Sequence, residues 1–329
     1  MKAVPPQAAH LVVGTRRSAL AQRQTELVVD LLRSARSELT CDIRPIVTEG
    51  DRTQRSGRPL PEIGGKGLFT SALEDALRRG DLDLAVHSLK DLPTEDLDGI
   101  AVGAVCSRED VRDCLVSREG VTLEELPSRS RVGTSSLRRT AQLLALRPDL
   151  EIASIRGNVD SRIRKVRDGE YDATVLAAAG IVRLGLEGEV TQRLPLETML
   201  PAPGQGALAV QCRVNDERAL ELLAAIDDPA TRAATGAERG FLRALGAGCT
   251  APVAAYAELV DAAPSAPSDD LSQGNGAASR VRLRGLVLSS DGRDVARVEG
   301  EGVADDVGER LAREALDSGA DRILRAVRG

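Results

Sequence analysis

Pairs of arginines stand at two points where the sequence turns from a strand into a helix. Arg16 and Arg17 follow one Gly-Thr turn, and Arg138 and Arg139 lie just beyond another. A guanidinium group forms paired hydrogen bonds with a carboxylate. The two pairs therefore predict a ligand that carries several carboxylates.

Two further arginines follow the same pattern. Arg156 lies at the end of a predicted strand, and Arg162 lies one helical turn further on. In an α/β sheet such positions all lie at the carboxyl ends of strands, where they face a common crevice. The alternative is that these arginines are ordinary solvent-exposed surface residues, in a chain where only four of the 44 basic residues are lysines. That alternative fits Arg78, Arg79 and Arg164 better.

Hydroxyl side chains accompany the arginines at the same two turns. Ser18 precedes the first predicted helix, and Thr134, Ser135 and Ser136 precede the later one. Hydroxyls and unpaired backbone N–H groups at a helix N-terminus bind anions. The alternative is plain helix capping, for which serine and threonine are preferred. The adjacent arginines favour the anionic ligand.

An acid stands beside a base in the segment DLAVHSLKDLP at 83–93, where a buried strand ends. Lys90 and Asp91 at such a position could take part in catalysis. Asp91 could equally cap a turn before the proline, and composition does not decide between the two. His87, a lone histidine, is more typical of a hydrogen-bonded structural residue than of a catalyst.

Cys249 stands among small residues in the segment GAGCTAPV at 246–253. A lone cysteine is usually a small buried apolar residue, but small neighbours would also let its thiol reach out for covalent chemistry. The five cysteines form no C-x-x-C pair, which favours reduced thiols and a cytoplasmic location. The sequence shows no signal peptide and no membrane-spanning stretch.

Several kinds of site are disfavoured by the sequence. The GGKG at 64–67 lacks the upstream glycine and the following Ser or Thr of a phosphate-binding P-loop. With two histidines in the chain, we expect no multi-histidine metal centre and predict no metal. Aromatic residues make up 1% of the chain and the net charge is −6, which argues against base stacking and general nucleic-acid binding.

The elements that would position these residues alternate between strand and helix. Apolar runs at 11–14, 43–47 and 82–87 enclose helical patterns, and a similar block follows at 132–177. Successive β-α-β units predict mainly parallel sheets.

The final part of the chain has a different pattern. A strand is predicted at 253–259, a hairpin at 281–299 and one helix at 307–327. Residues 261–279 are nearly all small or polar, which predicts a surface loop. The pattern is typical of a small α+β domain.

The segments that carry the candidate residues resemble the porphobilinogen deaminase (hydroxymethylbilane synthase) family. The resemblance covers roughly residues 10–260, in order and at compatible spacing. The matching segments are GTRRSALA at 14–21, TEGD at 48–51, GGKGLF at 64–69, AVHSLKDLP at 85–93, VGTSSLRR at 132–139, RPDL at 147–150, RGNVDSR at 156–162, AAGIVRLG at 178–185, LPAPGQGAL at 200–208 and GAGCTAPV at 246–253.

The resemblance implies an α/β fold. Two domains would resemble type II periplasmic binding proteins, with mixed and mainly parallel sheets, and a small α+β C-terminal domain would follow. Matched onto this sequence, residues 1–106 and 207–224 form the first domain and 112–200 the second. Residues 229–329 form the third domain, which carries the cysteine loop.

The implied activity is the head-to-tail condensation of four porphobilinogen molecules, with release of ammonia, to hydroxymethylbilane in tetrapyrrole (heme) biosynthesis. Family members carry a dipyrromethane cofactor joined through a thioether to the loop cysteine, here Cys249. Asp91 is then the catalytic carboxylate. Loss of ammonia leaves positive charge on a pyrrole nitrogen, and a fixed carboxylate stabilises that charge. The expected partner is the small substrate, without nucleic acid or membrane, and the chain is expected to be a monomer.

The resemblance also implies which residues contact the carboxylates of the pyrroles. The cofactor would contact Lys90, Thr134, Ser135, Ser136, Arg138, Arg139 and Arg162. The substrate would contact Arg16, Ser18, Arg156 and Arg183, and an active-site loop would contain Lys66 and Phe69. Glu62 departs from the family pattern, in which a basic residue is common at this position.

Two other functions remain as alternatives. A solute-binding protein of similar fold would carry a secretion signal, and it would need neither the Lys90–Asp91 pair nor the loop cysteine. An anion-sensing regulator would need a DNA-binding helix pair, which the sequence does not show.

Overall fold

Three β-sheets, with helices packed against them, organise the chain. The computed structural model describes residues 10–50, 70–248, 251–260 and 279–328. The predicted site residues Lys66, Phe69 and Cys249 lie outside the described residues, as does nearly all of the predicted loop at 261–279.

The first sheet contains strands from two distant parts of the sequence. They are β1 (His10–Arg16), β2 (Thr40–Ile46), β3 (Leu84–Ser88), β4 (Ile100–Val105) and β10 (Leu208–Arg213). Their order is β2-β1-β3-β10-β4. β1 is parallel to β2 and β3, whereas β10 lies antiparallel between β3 and β4. β3 is a continuous apolar run at its start because a central strand is covered on both faces.

Helices α1 (Ala19–Ala35), α2 (Ser71–Arg78) and α6 (Glu217–Ala224) accompany this sheet. The predicted start of α1 is confirmed, since the side chain of Ser18 accepts a hydrogen bond from the backbone N–H of Ala21. Val28 and Leu32 on the inner face of α1 are fully or almost fully buried. Their spacing of four residues places them on one side of the helix.

The second sheet is contiguous in sequence and repeats the arrangement of the first. It contains β5 (Asp113–Ser117), β6 (Arg131–Gly133), β7 (Glu151–Ala153), β8 (Ala173–Ala177) and β9 (Gln192–Arg193), in the order β7-β6-β8-β5-β9. β6 is parallel to β7 and β8, and β5 is antiparallel to β8 and β9. The accompanying helices are α3 (Leu137–Leu146), α4 (Val159–Arg167) and α5 (Ala178–Arg183).

The third sheet is antiparallel and contains β11 (Val253–Leu259), β12 (Arg280–Leu288) and β13 (Val295–Val303). Helices α7 (Pro229–Ala244), α8 (Ala304–Ala315) and α9 (Asp321–Arg328) belong to the same unit. The ring of Phe241 on α7 is completely buried against β12. A Cβ at Gly285 would lie 2.5 Å from that ring, so the close approach of helix and sheet requires glycine there.

The prediction of one helix at 307–327 is wrong. α8 and α9 are separated by a π-helical segment, Leu316–Ala320, in which Gly319 has a φ of +104°. Such a backbone conformation is readily adopted only by glycine and interrupts a right-handed helix. The apolar periodicity continues on both sides of the interruption, and for that reason it did not reveal the break.

The predicted fold class is confirmed: two mixed α/β sheets are followed by a small α+β unit. The predicted domain boundaries, 1–106 with 207–224, 112–200 and 229–329, remain a proposal that the strand composition of the sheets supports. Within the described ranges, the longest and most apolar helices still fall short of what crossing a membrane requires.

Candidate functional site

The first part of the site is a small cavity at the carboxyl ends of β1 and β3. Its volume is about 70 Å³, and the first turn of α1 closes one side. The chemistry-bearing side chains that line it are Arg16, Ser18, Gln24, His87, Ser88 and Asp91. The structure thus brings together three residues that the sequence predicted for the site, Arg16, Ser18 and Asp91.

His87 lies in the wall of this cavity as a neutral side chain. Burial is the main cause that lowers the pKa of His87 to about 4, and the positive charge of the nearby Arg16 contributes to the same shift. An imidazole with this pKa is uncharged at neutral pH, so it cannot act as a general acid through an imidazolium form. The exposed side chain of Asp91 is therefore the group of this cavity that can offer a carboxylate to a ligand.

Lys90 and Asp91 belong to one turn of 3₁₀-helix, Leu89–Asp91, which directly follows β3. Lys90 Nζ donates a hydrogen bond to Oε1 of Gln205 at 3.2 Å. Burial and the charge of Arg139 lower the pKa of Lys90 to about 8, against the opposing effect of Asp91. The ammonium therefore loses its proton near pH 8, and an additional carboxylate beside it would favour the charged form.

Asp113, at the start of β5, is the carboxylate at the centre of the second part of the site. Its side chain is fully buried and accepts hydrogen bonds from Arg138 Nη2 at 2.8 Å and from Arg139 Nη2 at 2.7 Å. Gln205 Nε2 donates to the same carboxylate at 2.9 Å. Burial alone would raise the pKa of Asp113, but the two guanidiniums outweigh it and hold the pKa well below its ordinary value.

Arg138 and Arg139 differ in whether a buried N–H donor of the guanidinium group is left without a hydrogen-bond partner. Arg138 donates to Leu200 O and to Asp113, and its side chain is 5% exposed. Arg139 donates through Nη2, while its buried Nε has no hydrogen-bond partner within the described residues. A buried donor without a partner is costly, so Arg139 is prepared for an acceptor that the protein itself does not supply there.

The predicted hydroxyl residues form the turn that leads into α3. Ser136 is the N-cap and accepts from the backbone N–H of Arg139, and its own N–H donates to Thr134 Oγ1. Ser135 Oγ donates instead to Ile155 O at 2.8 Å, between β6 and the loop after β7. Helix capping therefore accounts for Ser136, and the hydroxyl of Ser135 ties together the loops that carry the arginines.

Arg156 and Arg162 extend the positive charge from the loop after β7 into α4. Arg162 Nε donates to Gly157 O at 2.8 Å, where Gly157 has a φ of +118°. Burial lowers the pKa of Arg162 to about 10, and repulsion from Arg139 and Arg156 contributes to that shift. Arg139 and Arg156 are therefore close enough to destabilise the charge of Arg162.

Arg183 lies at the end of α5, where it reaches the chain segment that returns to the first sheet. Its Nη2 donates to Gly206 O at 2.6 Å, and burial lowers its pKa. Gly206 has a φ of +91°, and a Cβ there would lie 2.5 Å from Glu109 O. The two chain segments that connect the first two sheets thus touch beside Arg183.

Sequence reasoning missed several residues that organise the site. Gln205 and Asp113 connect Lys90 to the paired arginines, and Glu238 on α7 accepts two hydrogen bonds from Arg108 and one from Gly204 N. The LPAPGQGAL segment contains Gln205, and that match was the only signal for it. Asp113 and Glu238 stand in ordinary mixed-charge sequence, so nothing local distinguished them from surface acids.

Residues 11–221 match the family model described as porphobilinogen deaminase, dipyromethane cofactor binding domain, and residues 233–317 match porphobilinogen deaminase, C-terminal domain. The chain belongs to the porphobilinogen deaminase family. Both models together span most of the chain, so the resemblance read from the sequence is confirmed.

Individual relatives of the family agree over nearly their full length. The chain is 45% identical to the porphobilinogen deaminase of Brevibacillus brevis, over 96% of each protein. It is 46% identical to that of a Roseiflexus species, over 95% of this chain and 98% of the relative. A TRAP periplasmic solute binding protein from Desulfovibrio salexigens is a structural neighbour with a TM-score of 0.41 and 10% identity, over 67% of this chain and 72% of that one.

Proposed function

We propose that this chain is an enzyme that condenses four porphobilinogen molecules head to tail, releases ammonia and forms hydroxymethylbilane in tetrapyrrole biosynthesis. Membership of the porphobilinogen deaminase family supports the reaction. The observation that carries the proposal is a cluster of buried and half-buried cations beside the exposed carboxylate of Asp91, in which Arg139 repels Lys90, Arg138 and Arg162.

The cation cluster consists of Lys90, Arg138, Arg139, Arg156 and Arg162. Asp113 accepts hydrogen bonds from two of its members and contributes a single negative charge. Burial is the main cause of the lowered pKa values of Lys90 and Arg162, and repulsion from the neighbouring guanidiniums adds to both shifts. A ligand with several carboxylates would relieve that repulsion, and each pyrrole of this pathway carries an acetate and a propionate.

Asp91 supplies the complementary chemistry. Its carboxylate is exposed at the cavity while the turn that carries it is anchored in the fold. Positive charge develops on a pyrrole nitrogen as ammonia leaves the substrate, and a preorganised carboxylate stabilises that charge. His87 remains neutral beside it and does not compete for this function.

The described residues fit a dipyrromethane cofactor. Within the described residues the buried Nε of Arg139 has no hydrogen-bond partner, and Lys90 lies close enough for the charge of Arg139 to lower its pKa further. When bound, the cofactor would supply the primer to which each new pyrrole is added. Lys90, Thr134, Ser135, Ser136, Arg138, Arg139 and Arg162 would hold it, and covalent attachment through a thioether to Cys249 is part of the proposal.

The incoming substrate would lie nearer to Asp91. Arg16 and Ser18 line the cavity with Asp91, and Arg156 and Arg183 lie toward the second sheet. Lys66 and Phe69 are proposed to belong to an active-site loop on the family pattern alone. Arg138 and Arg183 already donate to protein acceptors, so their contribution is to fix the site as well as to add charge.

We further propose that the enzyme is a cytoplasmic monomer. The four cysteines that the structure describes, Cys41, Cys106, Cys114 and Cys212, are free thiols, as expected in a reducing compartment. Burial raises the pKa of Cys106, Cys114 and Cys212 to about 11, so these three are unreactive and compete poorly for a covalent cofactor.

The test is turnover of porphobilinogen by the purified chain, followed as ammonia and hydroxymethylbilane in a ratio of four to one. Asp91→Ala is expected to abolish both products while the chain stays folded. Asp96→Ala, which removes an exposed carboxylate a few residues away, is the matched control and is expected to turn over normally. Turnover by Asp91→Ala at a near-normal rate would exclude Asp91 as the catalytic group, and absence of turnover by the unsubstituted chain would refute the function.

A further inference from the structure

Arg239 is a cation of the third unit that reaches into the first. It lies on α7, and its guanidinium donates to three backbone carbonyls beyond β3: Leu89 O at 3.4 Å, Leu92 O at 3.1 Å and Pro93 O at 2.6 Å. Burial lowers the pKa of Arg239, so the group is largely withdrawn from water. Its hydrogen bonds therefore go to one short stretch of backbone.

That stretch of backbone is the turn that carries Lys90 and Asp91. The carbonyls at the end of a short helix have no partners within it and need donors from elsewhere. The turn itself supplies only the bond from Leu92 N to Leu89 O. A guanidinium is well suited to the remaining carbonyls, because its charge strengthens each bond and its planar fork fixes their relative positions.

The helix that carries Arg239 is itself held in place. Glu238, the preceding residue, accepts from Arg108, from Gly204 N at 2.7 Å and from Ala257 N at 2.8 Å. The side chain of Glu238 is fully buried. α7 thus cannot shift without breaking these bonds, and Arg239 holds the turn from a fixed base.

We propose that Arg239 is a positioning residue for Asp91: from the third unit it fixes the backbone of the turn, and so the direction of the catalytic carboxylate. The proposal rests on the proposed function, in which Asp91 stabilises charge on the substrate. In this proposal Arg239 acts through the turn, because the hydrogen bonds of its guanidinium go to the backbone carbonyls of that segment. The competing interpretation is that Arg239 only helps the third unit pack against the first, which would affect stability and leave turnover of the folded enzyme unchanged.

The chain offers a matched control for this proposal. Arg243 lies one turn further along α7, its side chain is 53% exposed, and its nearest acid is Glu309 at 3.7 Å. Arg239→Gln and Arg243→Gln therefore make the same change on the same helix, at a site that holds the turn and at one that does not.

The experiment measures kcat and KM for porphobilinogen with holoenzyme of each variant, at cofactor content matched by intact mass. For Arg239→Gln, kcat is expected to fall about 10- to 100-fold while KM changes little, because a small displacement of a catalytic group is costly in rate. Arg243→Gln is expected to match the unsubstituted enzyme. Hydrogen exchange of peptides covering 84–93 should be faster only in Arg239→Gln.

Arg239→Lys decides the question if Arg239→Gln does not fold. A single ammonium keeps the charge but cannot hold three carbonyls in one plane, so kcat should fall less than in Arg239→Gln yet clearly below normal. Unchanged kcat in the folded Arg239 variants, or the same loss in Arg243→Gln, would overturn the proposal. If the unsubstituted enzyme still turns over porphobilinogen, the proposed function stands even when the positioning proposal for Arg239 fails. The failure of one proposal can therefore be told from the failure of the other.

Discussion

Gln205 Nε2 donates to Oδ1 of Asp113 at 2.9 Å, and this bond joins the two halves of the site. The Oε1 atom of the same amide accepts from Lys90, which stands beside Asp91 in the turn that follows β3 of the first sheet. Asp113 in turn orients Arg138 and Arg139 at the edge of the second sheet. The acidic and basic parts of the site are thus connected through one side chain of the segment between the sheets.

Replacing Asp113 with asparagine should destabilise the chain by about 3 kcal/mol, because two buried guanidiniums lose their negative partner. The free energy of unfolding in urea measures this. Asp110→Asn is the matched control, since Asp110 pairs with Arg112, whose side chain is 40% exposed, and should cost about 1 kcal/mol or less. Equal losses in both variants would contradict the central position of Asp113.

Binding of carboxylates at Lys90 should take up a proton at alkaline pH. The pKa of Lys90 is about 8, so the group is mostly neutral at pH 9 and mostly charged at pH 6.5. A bound carboxylate raises that pKa, and uptake approaching one proton is therefore expected near pH 9 and almost none at pH 6.5. Calorimetry of a free dipyrromethane with acetate and propionate groups, binding to Cys249→Ala in buffers of different ionisation enthalpy, measures the uptake.

The control for that measurement is Cys249→Ala combined with Lys90→Met, which should bind more weakly and show no uptake at either pH. Uptake that persists without Lys90 would assign the proton to another group.

Acid should destabilise the fold through His87. Its pKa is about 4 in the folded chain and that of an unfolded histidine is about 6.5, so the unfolded chain binds the extra proton first as the pH falls. Stability present above pH 6.5 is therefore lost progressively down to pH 4, by up to about 3 kcal/mol.

His87→Gln should remove that part of the pH dependence when the free energy of unfolding is measured from pH 7 to pH 4. His10→Gln is the control, because His10 is 51% exposed and lies beside Asp42 at the edge of the first sheet. An unchanged slope in His87→Gln would show that other groups dominate acid unfolding.

The proposed attachment at Cys249 predicts that active protein is heavier than the bare chain by one dipyrromethane unit. Intact-mass measurement checks this directly. Cys249→Ser should have the mass of the bare chain and no turnover, whereas Cys41→Ser, which alters a half-buried thiol, should keep the added mass. Active enzyme with only the mass of the bare chain is incompatible with the assignment.

Local signals predicted the site residues that stand at strand ends and helix starts. Ser18 and Ser136 are N-caps at the two helix starts that the sequence predicted. These positions are governed by capping and by helical periodicity, which act over a few residues. Lys66, Phe69 and Cys249 stay predictions, because they lie outside the described residues.

The parts that the sequence did not predict depend on contacts between distant segments. Asp113 meets Gln205 across 92 residues, and Arg239 meets Pro93 across 146. No periodicity or spacing encodes such pairs in a single sequence. The break between α8 and α9 has a different cause, since one glycine in a left-handed conformation outweighs a continuous apolar pattern.

The position of β10 sets an order of events during synthesis of the chain. This strand lies between β3 and β4, yet it is translated after every strand of the second sheet. A nascent chain that has emerged through β9 can complete the second sheet but leaves facing edges of β3 and β4 without their shared neighbour. The first sheet is therefore expected to be completed after the second. Until β10 is made, the unpaired edges of β3 and β4 are the surfaces that a chaperone would have to protect.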